Sequence, residues 1–190
     1  MKILNSIFLV ILVLSMAACA TPPTEEMNKA QDAVTRAEND ADAVTYAPNT
    51  LARAREALTK MQNEANAKRY DSAKNYAGEA ISNAEKAISD GKAAAARARE
   101  EAASLVNGLQ APLAETASAL NAAKDSNLKL DYNALSSDLD RANKTYDSAQ
   151  QSLRANNYPD AIAKGQNVRP ILTDINNRIN EGVQVSSRKQ

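Results

Sequence analysis

Apolar residues recur along most of the chain at alternating steps of three and four, the spacing that places them on one face of an α-helix. No segment of comparable length alternates with period two, so the pattern predicts an all-α fold. The longest stripe consists mainly of alanine: Ala73, Ala77, Ala80, Ala84, Ala87, Gly91, Ala94, Ala98, Ala102, Leu105 and Leu109. Small side chains on facing stripes allow helix backbones to approach closely.

Other stripes define helices before and after this one. The first comprises Met27, Ala30, Val34, Ala37, Ala41 and Val44. The last comprises Ala161, Gly165, Val168, Leu172, Ile175 and Ile179. Pro48 predicts a helix start, Asn107-Gly108 a helix end, and Pro170 a kink inside the last helix.

The two halves of the chain resemble each other in sequence. Residues 65–77 (ANAKRYDSAKNYA) align without gaps on residues 153–165 (LRANNYPDAIAKG), which places Tyr70 on Tyr158. The alignment predicts a tandem duplication, and we expect an antiparallel bundle of about six helices in two three-helix halves. The predicted segments are 27–109 for the first half, 110–181 for the second half and 182–190 for a frayed, solvated polar tail.

Tyrosines stand at the helix ends that this division predicts. A tyrosine ring can cover the end of a helical hairpin while its hydroxyl stays in water. We expect a packing role, because Tyr70 and Tyr158 recur in both halves and a single active site would not repeat. The predicted structural corners are Tyr46, Pro48, Tyr70, Tyr132 and Tyr158.

Composition argues against catalysis and against nucleic-acid binding. The chain has no His, the commonest general base and metal ligand, and its five Gly residues form no phosphate-binding loop. Basic and acidic residues both number 23, and no basic stripe is present for nucleic acid. The sequence predicts a protein that is not an enzyme, with no catalytic residue, metal site or cofactor. The acidic pairs are interpreted as solvated helix faces: Glu25-Glu26, Glu100-Glu101 and Asp138-Asp140.

The N-terminus has the pattern of an export signal. Met1-Lys2 supplies a positive start, and the apolar run Ile7–Leu14 follows. That run is about 12 Å long as a helix, too short for a bilayer core of roughly 30 Å. Residues 16–19 (MAAC) resemble the lipobox of bacterial lipoproteins. The resemblance implies removal of residues 1–18 as a signal peptide, and S-diacylglycerol and N-acyl modification of Cys19, the only cysteine.

Acylation of Cys19 would hold the mature chain at a membrane. Two or three acyl chains anchor a protein stably, whereas one chain binds only marginally. We expect residues 19–26 to comprise the acylated cysteine and a short polar tether stiffened by Pro22-Pro23. Ala20 follows the cysteine in place of the Asp that retains lipoproteins in the inner membrane. The resemblance therefore favours the outer membrane, facing the periplasm.

Part of the chain also resembles a known domain family. The run AVTYAPNTLARAREAL precedes AKRYDSAKNYAGEAISNAEKAI, and the residues that carry the resemblance are Tyr46-Ala47-Pro48, Leu51, Ala54 and Tyr70-Asp71-Ser72-Ala73. These runs resemble the bacterial domain of unknown function 4398, found in Ala-rich helical envelope lipoproteins. The resemblance implies a helical fold and no activity. Some members carry a peptidoglycan-binding domain of the outer-membrane-protein-A type; we expect none here, which leaves peptidoglycan contact open but unsupported.

Two functions stay open at this point. In the first, the bundle is a non-catalytic structural or adaptor module at the membrane, with an envelope protein or a second copy as its partner. In the second, it is a periplasmic carrier or chaperone-like module that binds an apolar ligand or peptide between its helices. Alanine seams leave little room for a ligand and favour the first function, whereas the tyrosine-bearing grooves and Pro170 keep the second open.

Overall fold

The computed structural model describes residues 21–188, and every regular element within them is an α-helix. This confirms the predicted all-α fold of about six helices, with one additional short helix of six residues. The helices of the described range are α1 (Thr24–Asn39), α2 (Ala41–Tyr46), α3 (Pro48–Asn66), α4 (Tyr70–Asn107), α5 (Gln110–Asp125), α6 (Tyr132–Arg154) and α7 (Tyr158–Ser187).

Several helix ends lie where the sequence predicts them. Pro48 occupies the first turn of α3, where its missing N–H costs nothing. Helix α4 ends at Asn107, directly before Gly108. Helix α6 begins at Tyr132, and the Asp131 side chain caps it by accepting a hydrogen bond from the Ala134 N–H at 3.0 Å.

The N-terminal boundaries differ from the prediction in two places. Helix α1 begins at Thr24, inside the predicted tether, and the Met27 N–H already donates to the Pro23 carbonyl. The first stripe is also not one helix, because Asp40 ends α1 and caps α2 by accepting from the Ala43 N–H at 2.8 Å. The break changes the helical register, so Ala43 is buried and Val44 is 46% exposed.

The C-terminal helix extends further than predicted. Residues 182–187 continue α7, because their backbone bonds join the helix ladder and the Ser187 hydroxyl donates to the Val183 carbonyl at 3.1 Å. The prediction of a frayed tail is therefore wrong for these residues, although 183–187 are exposed as expected. Helix α7 runs through Pro170, and the kink there stays a prediction.

The chain divides into two compact units, and the division lies inside α4 between Lys92 and Ala93. Unit 1 has a core of small side chains from α1, α2, α3 and the first part of α4, and Ala84 and Ala87 within it are wholly buried. Gly91 is buried against α2, where an added Cβ would lie 2.6 Å from the Ala43 nitrogen. This residue has to lack a side chain because the two backbones are nearly in contact.

Unit 2 has a core of larger aliphatic side chains. The last part of α4 contributes to it, since Ala102 and Val106 pack with Ala149 and Ala161. All six residues of the stripe predicted for α7 are buried, which confirms the inward face of that helix. The large buried side chains are Val106, Leu109, Leu113, Leu120, Leu135, Val168, Leu172, Ile175 and Ile179.

Three helices end in the same backbone motif. Lys68, Asn127 and Asn156 have positive φ angles of 57°, 52° and 59°. After α3, the N–H of Lys68 donates to the Ala65 carbonyl and the N–H of Arg69 to the Glu64 carbonyl, both at 2.9 Å. The same pair of bonds follows α5 and α6, and it defines the Schellman motif. Each of these turns reverses the chain without a glycine at the left-handed position.

Candidate functional site

The predicted lipidation site, Cys19, lies outside the described residues, and its acylation stays a prediction. The described chain begins with Thr21, and Pro22-Pro23 lead directly into α1. Within residues 21–188, no helix combines the length and the hydropathy needed to cross a bilayer.

Tyr46 and Pro48 form the corner between α2 and α3. Tyr46 is the last residue of α2 and is half-buried, and Pro48 is the first residue of α3. Ala47 between them is buried, and its N–H donates to the Ala43 carbonyl at 3.0 Å. The corner therefore joins two helices through a single non-helical residue.

The Tyr132 hydroxyl forms hydrogen bonds to backbone carbonyls. This oxygen lies 2.8 Å from the carbonyl oxygens of both Ala123 and Leu128, which share its single proton. The Lys124 ammonium lies 5.8 Å from the ring centroid. The hydroxyl is therefore engaged by backbone at this corner. Tyr132 thus ties the end of α5 to the start of α6.

Tyr70 and Tyr158 occupy matching positions at the starts of α4 and α7. Each is half-buried and follows a Schellman turn. The Tyr158 ring packs beside buried Ala149 and Ala161, and its hydroxyl donates to the Oδ1 of exposed Asn156 at 2.8 Å. The structure therefore brings these two tyrosines to equivalent turns in different units, and they do not share one site.

A serine, an aspartate and a lysine converge where α6 ends and α7 begins. Ser152 Oγ is nearly buried and lies 2.5 Å from Asp160 Oδ2 and 3.1 Å from Lys164 Nζ. The Lys164 ammonium lies 2.6 Å from the same carboxylate oxygen. Ser152 lies on α6 and the other two residues lie on α7, so these contacts join the end of one helix to the start of the next.

The electrostatics of the cluster agree with this interpretation. Hydrogen bonds from Lys164 and then Ser152 hold the pKa of Asp160 below its ordinary value. The carboxylate consequently stays ionised at neutral pH and holds both donors, Lys164 and Ser152, at the junction of α6 and α7.

Acidic residues from the predicted solvated faces form ion pairs near the surface. Glu26 Oε1 lies 2.9 Å from Lys74 Nζ, and this contact lowers the pKa of Glu26. Asp138 contacts Arg141 at 2.7 Å and Arg178 at 3.2 Å. Residues 21–188 contain no cluster of three or more acidic or cysteine side chains arranged to hold a metal ion.

A cleft of about 460 Å³ opens in unit 2 between the α5–α6 loop and the last turns of α7. Leu128, Leu130 and Val185 supply its apolar wall, and Lys129 and Glu181 contribute both signs of charge. Such an arrangement can accept an apolar group that carries a polar end.

The family comparison covers α1 to α3 and most of α4, and so extends from unit 1 into the first residues of unit 2. Residues 25–103 match the family model described as a domain of unknown function, DUF4398. This finding confirms the resemblance seen in the sequence, and the matched range contains Tyr46, Pro48 and Tyr70. Tyr132 and Tyr158 lie beyond the DUF4398 match. No curated protein and no solved structure matches the chain significantly.

The sequence reasoning missed two features, and both lie beyond the DUF4398 match. Leu128 and Leu130 alternate with charged residues in the loop (LKLD), which is a weak signal of an apolar wall. Asp160 and Lys164 have the i,i+4 spacing of a helical ion pair. Ser152 could not be placed beside them from sequence, because its position depends on the geometry of the intervening turn.

Proposed function

We propose that this protein is a lipid-anchored lipoprotein of the bacterial envelope, whose helices form a non-catalytic structural or adaptor module facing the periplasm. The proposal rests on one observation, the hydrogen bonding of the buried polar side chains. Within residues 21–188, every buried side-chain nitrogen and oxygen has a hydrogen-bond partner. A scaffold has its polar groups satisfied in this way, whereas active sites concentrate strained or perturbed groups in clefts.

The direction of the pKa shifts supports the same proposal. The Lys60 hydrogen bond lowers the pKa of Glu56, and Glu56 raises the pKa of Lys60. Glu64 and Arg69 form a second pair whose members shift in the same directions. Each shift favours the charge that the side chain already carries at neutral pH. Groups held in this state neither give nor take protons readily, so they stabilise surfaces and are poor acid–base catalysts.

The membrane anchor is supported by residues 16–19 and by the charge of the chain. Basic and acidic residues are equal in number and mixed along the chain, which provides little attraction to anionic lipids. Attachment would therefore depend on acylation of Cys19. An envelope protein or a second copy of the chain is the proposed partner of the helical surface.

Replacement of the cysteine tests the anchor. In cells fed a labelled fatty acid, Cys19→Ser should abolish lipid labelling and leave precursor or soluble protein. Thr21→Ser, two residues away, is the matched control and should be labelled normally. Mature Cys19→Ser protein that still fractionates with membranes would overturn the proposed anchor.

The cleft of unit 2 supports the alternative function, a carrier of an apolar ligand or peptide. An apolar fluorescent probe distinguishes the two functions when it is titrated into wild-type protein and into Leu130→Asp. A carrier should bind the probe saturably and lose that binding in Leu130→Asp, whereas Val44→Asp, an exposed site in unit 1, should bind normally. A structural module should show only weak binding, equal in all three proteins.

A further inference from the structure

The first described residues pack beside the start of α4. Residues 21–26 line a shallow surface cleft together with Tyr70, Asp71 and Lys74. The ion pair between Glu26 and Lys74 holds α1 to α4 at this position. Since the α3–α4 turn immediately precedes Tyr70, the turn and the tether lie at the same end of unit 1.

Helix α2 marks the opposite end of unit 1. This short helix follows the end of α1 and precedes the start of α3, and Arg55 in the first half of α3 contacts Glu38 near the end of α1 at 2.6 Å. Gly91, far along α4 from Lys74, meets the backbone at Ala43. Helix α1 has 16 residues, and at 1.5 Å per residue such a helix separates the two ends by about 24 Å.

The anchor leaves almost no free chain. Only Ala20 separates Cys19 from Thr21, and two extended residues span at most about 7 Å. Acyl chains on Cys19 would insert into the hydrocarbon, which places the cysteine at the headgroups. Thr21, and the end of unit 1 on which it packs, must then lie close to the same level.

We propose that the α3–α4 turn, Ala67–Arg69, is the surface of unit 1 that lies against the phospholipid headgroups. The inference rests on the proposed lipid anchor and adds the orientation of the unit on the bilayer. Exposed Lys68 lies at the tip of the turn, and Arg69 is paired with Glu64 beside it. The end therefore presents both signs of charge, as zwitterionic headgroups do. Helix α2 is held away from the lipid, where a partner in the periplasm can reach it.

Single-cysteine labelling tests this orientation in the acylated, full-length mature protein. The Cys19 thiol is consumed by acylation, so an environment-sensitive thiol dye would react only with a new cysteine. Lys68→Cys and Asn66→Cys report on the proposed lipid end, and Val44→Cys is the matched far-end variant. Asn66→Cys is included in case Lys68→Cys disturbs the left-handed turn, because the backbone of Asn66 is helical. Each protein is reconstituted into phosphatidylethanolamine–phosphatidylglycerol vesicles that carry a headgroup nitroxide quencher.

All three labelled proteins should float with the vesicles, and the dye at positions 66 and 68 should be quenched several-fold more than the dye at position 44. Flotation with equal quenching at both ends, or with stronger quenching at position 44, would overturn the orientation and leave the anchor intact. Failure of all three to float would overturn the anchor, and the orientation with it.

Discussion

Unit 1 and unit 2 form helical cores from side chains of different size. Twelve of the sixteen buried residues in the unit 1 cluster are alanine, whereas alanine supplies five of the fourteen buried residues in the three clusters of unit 2. An alanine seam is stabilised mainly by the close approach of backbones, and an aliphatic seam mainly by the apolar area that it buries. Unit 1 should therefore be more sensitive to added side-chain volume, and unit 2 more sensitive to removed volume.

The turns of the two units can be compared in the same way, by their backbone conformation and their side-chain contacts. The α3–α4 and α6–α7 turns each have one residue in the left-handed region, Lys68 or Asn156, and the same two backbone bonds. Glu64 and Arg69 pair across the first turn, while Ser152, Asp160 and Lys164 secure the second. The backbone motif is common to both turns, and the polar side chains that reinforce it differ. The tandem duplication agrees with this likeness and stays a prediction.

The largest effect is expected when volume is removed from unit 2. Ile175 is wholly buried, and Ile175→Ala should lower the free energy of unfolding by about 2–5 kcal/mol, because it removes apolar contact and leaves a cavity. Urea unfolding followed by circular dichroism measures the loss. Half-buried Ile162→Ala is the matched control, and an equal loss in both variants would contradict the packing described for this core.

The next effect is expected when volume is added to unit 1. Gly91→Ala should destabilise the protein by about 1–3 kcal/mol, because its Cβ would meet the α2 backbone. Gly78→Ala in the same helix has open space around it and should stabilise by up to about 1 kcal/mol through helix propensity. Hydrogen exchange should place the Gly91→Ala damage in unit 1. Equal behaviour of the two variants would show that α2 can move aside.

The stability lost on removing a tyrosine hydroxyl should depend on what that hydroxyl contacts. Tyr132→Phe should cost about 1 kcal/mol, because two carbonyls at the end of α5 lose their donor. Tyr158→Phe should cost less, since its hydroxyl bonds only to an exposed asparagine. Thermal unfolding of the two variants measures the difference. A larger loss for Tyr158→Phe would reverse the roles assigned to these corners.

Exchanging the left-handed residues of the two turns should give small changes of opposite sign. Asparagine tolerates positive φ better than lysine does. Lys68→Asn should therefore raise the free energy of unfolding by a few tenths of a kcal/mol, and Asn156→Lys should lower it by a similar amount. Chemical unfolding of the single and double variants tests the symmetry. Changes of the same sign would mean that side-chain contacts, and not backbone strain, decide these positions.

Acid should weaken unit 1 slightly more than unit 2. Native contacts lower the pKa values of Glu26, Glu56 and Glu64 in unit 1 and of Asp160 in unit 2. Their stabilisation is fully present above the unfolded carboxyl pKa, about 4, and is lost as the pH falls through the lower native values. The effect is small because the pairs are exposed. Hydrogen exchange at decreasing pH should show earlier loosening in unit 1, and the opposite order would contradict this assignment.

The sequence was most informative where one helical face decides the structure. The inward face of α7 is visible in its apolar spacing, and Pro48 and Asn107 mark helix ends by local chemistry. The sequence did not predict the helix break at Asp40, because the apolar stripe continues on both sides of it. The break depends on the Asp40 side chain, which caps the next helix. The contacts of Tyr132 and Ser152 were also beyond prediction, since they depend on how neighbouring helices turn back on each other. The candidate site was therefore less predictable than the helices that carry it.

The placement of the tyrosines gives the protein an intrinsic optical signal of a particular kind. The chain has no Trp and six Tyr residues, so its near-ultraviolet absorption and emission come chiefly from those phenol rings. Tyr46, Tyr70, Tyr132 and Tyr158 stand at helix ends, and the alanine seams between them absorb no near-ultraviolet light. Tyr76 and Tyr146 lie inside α4 and α6 and pack against the cores, so they report on the helices. A change in emission that precedes the decline of the helical circular dichroism would therefore indicate that a corner has opened before the helices melt.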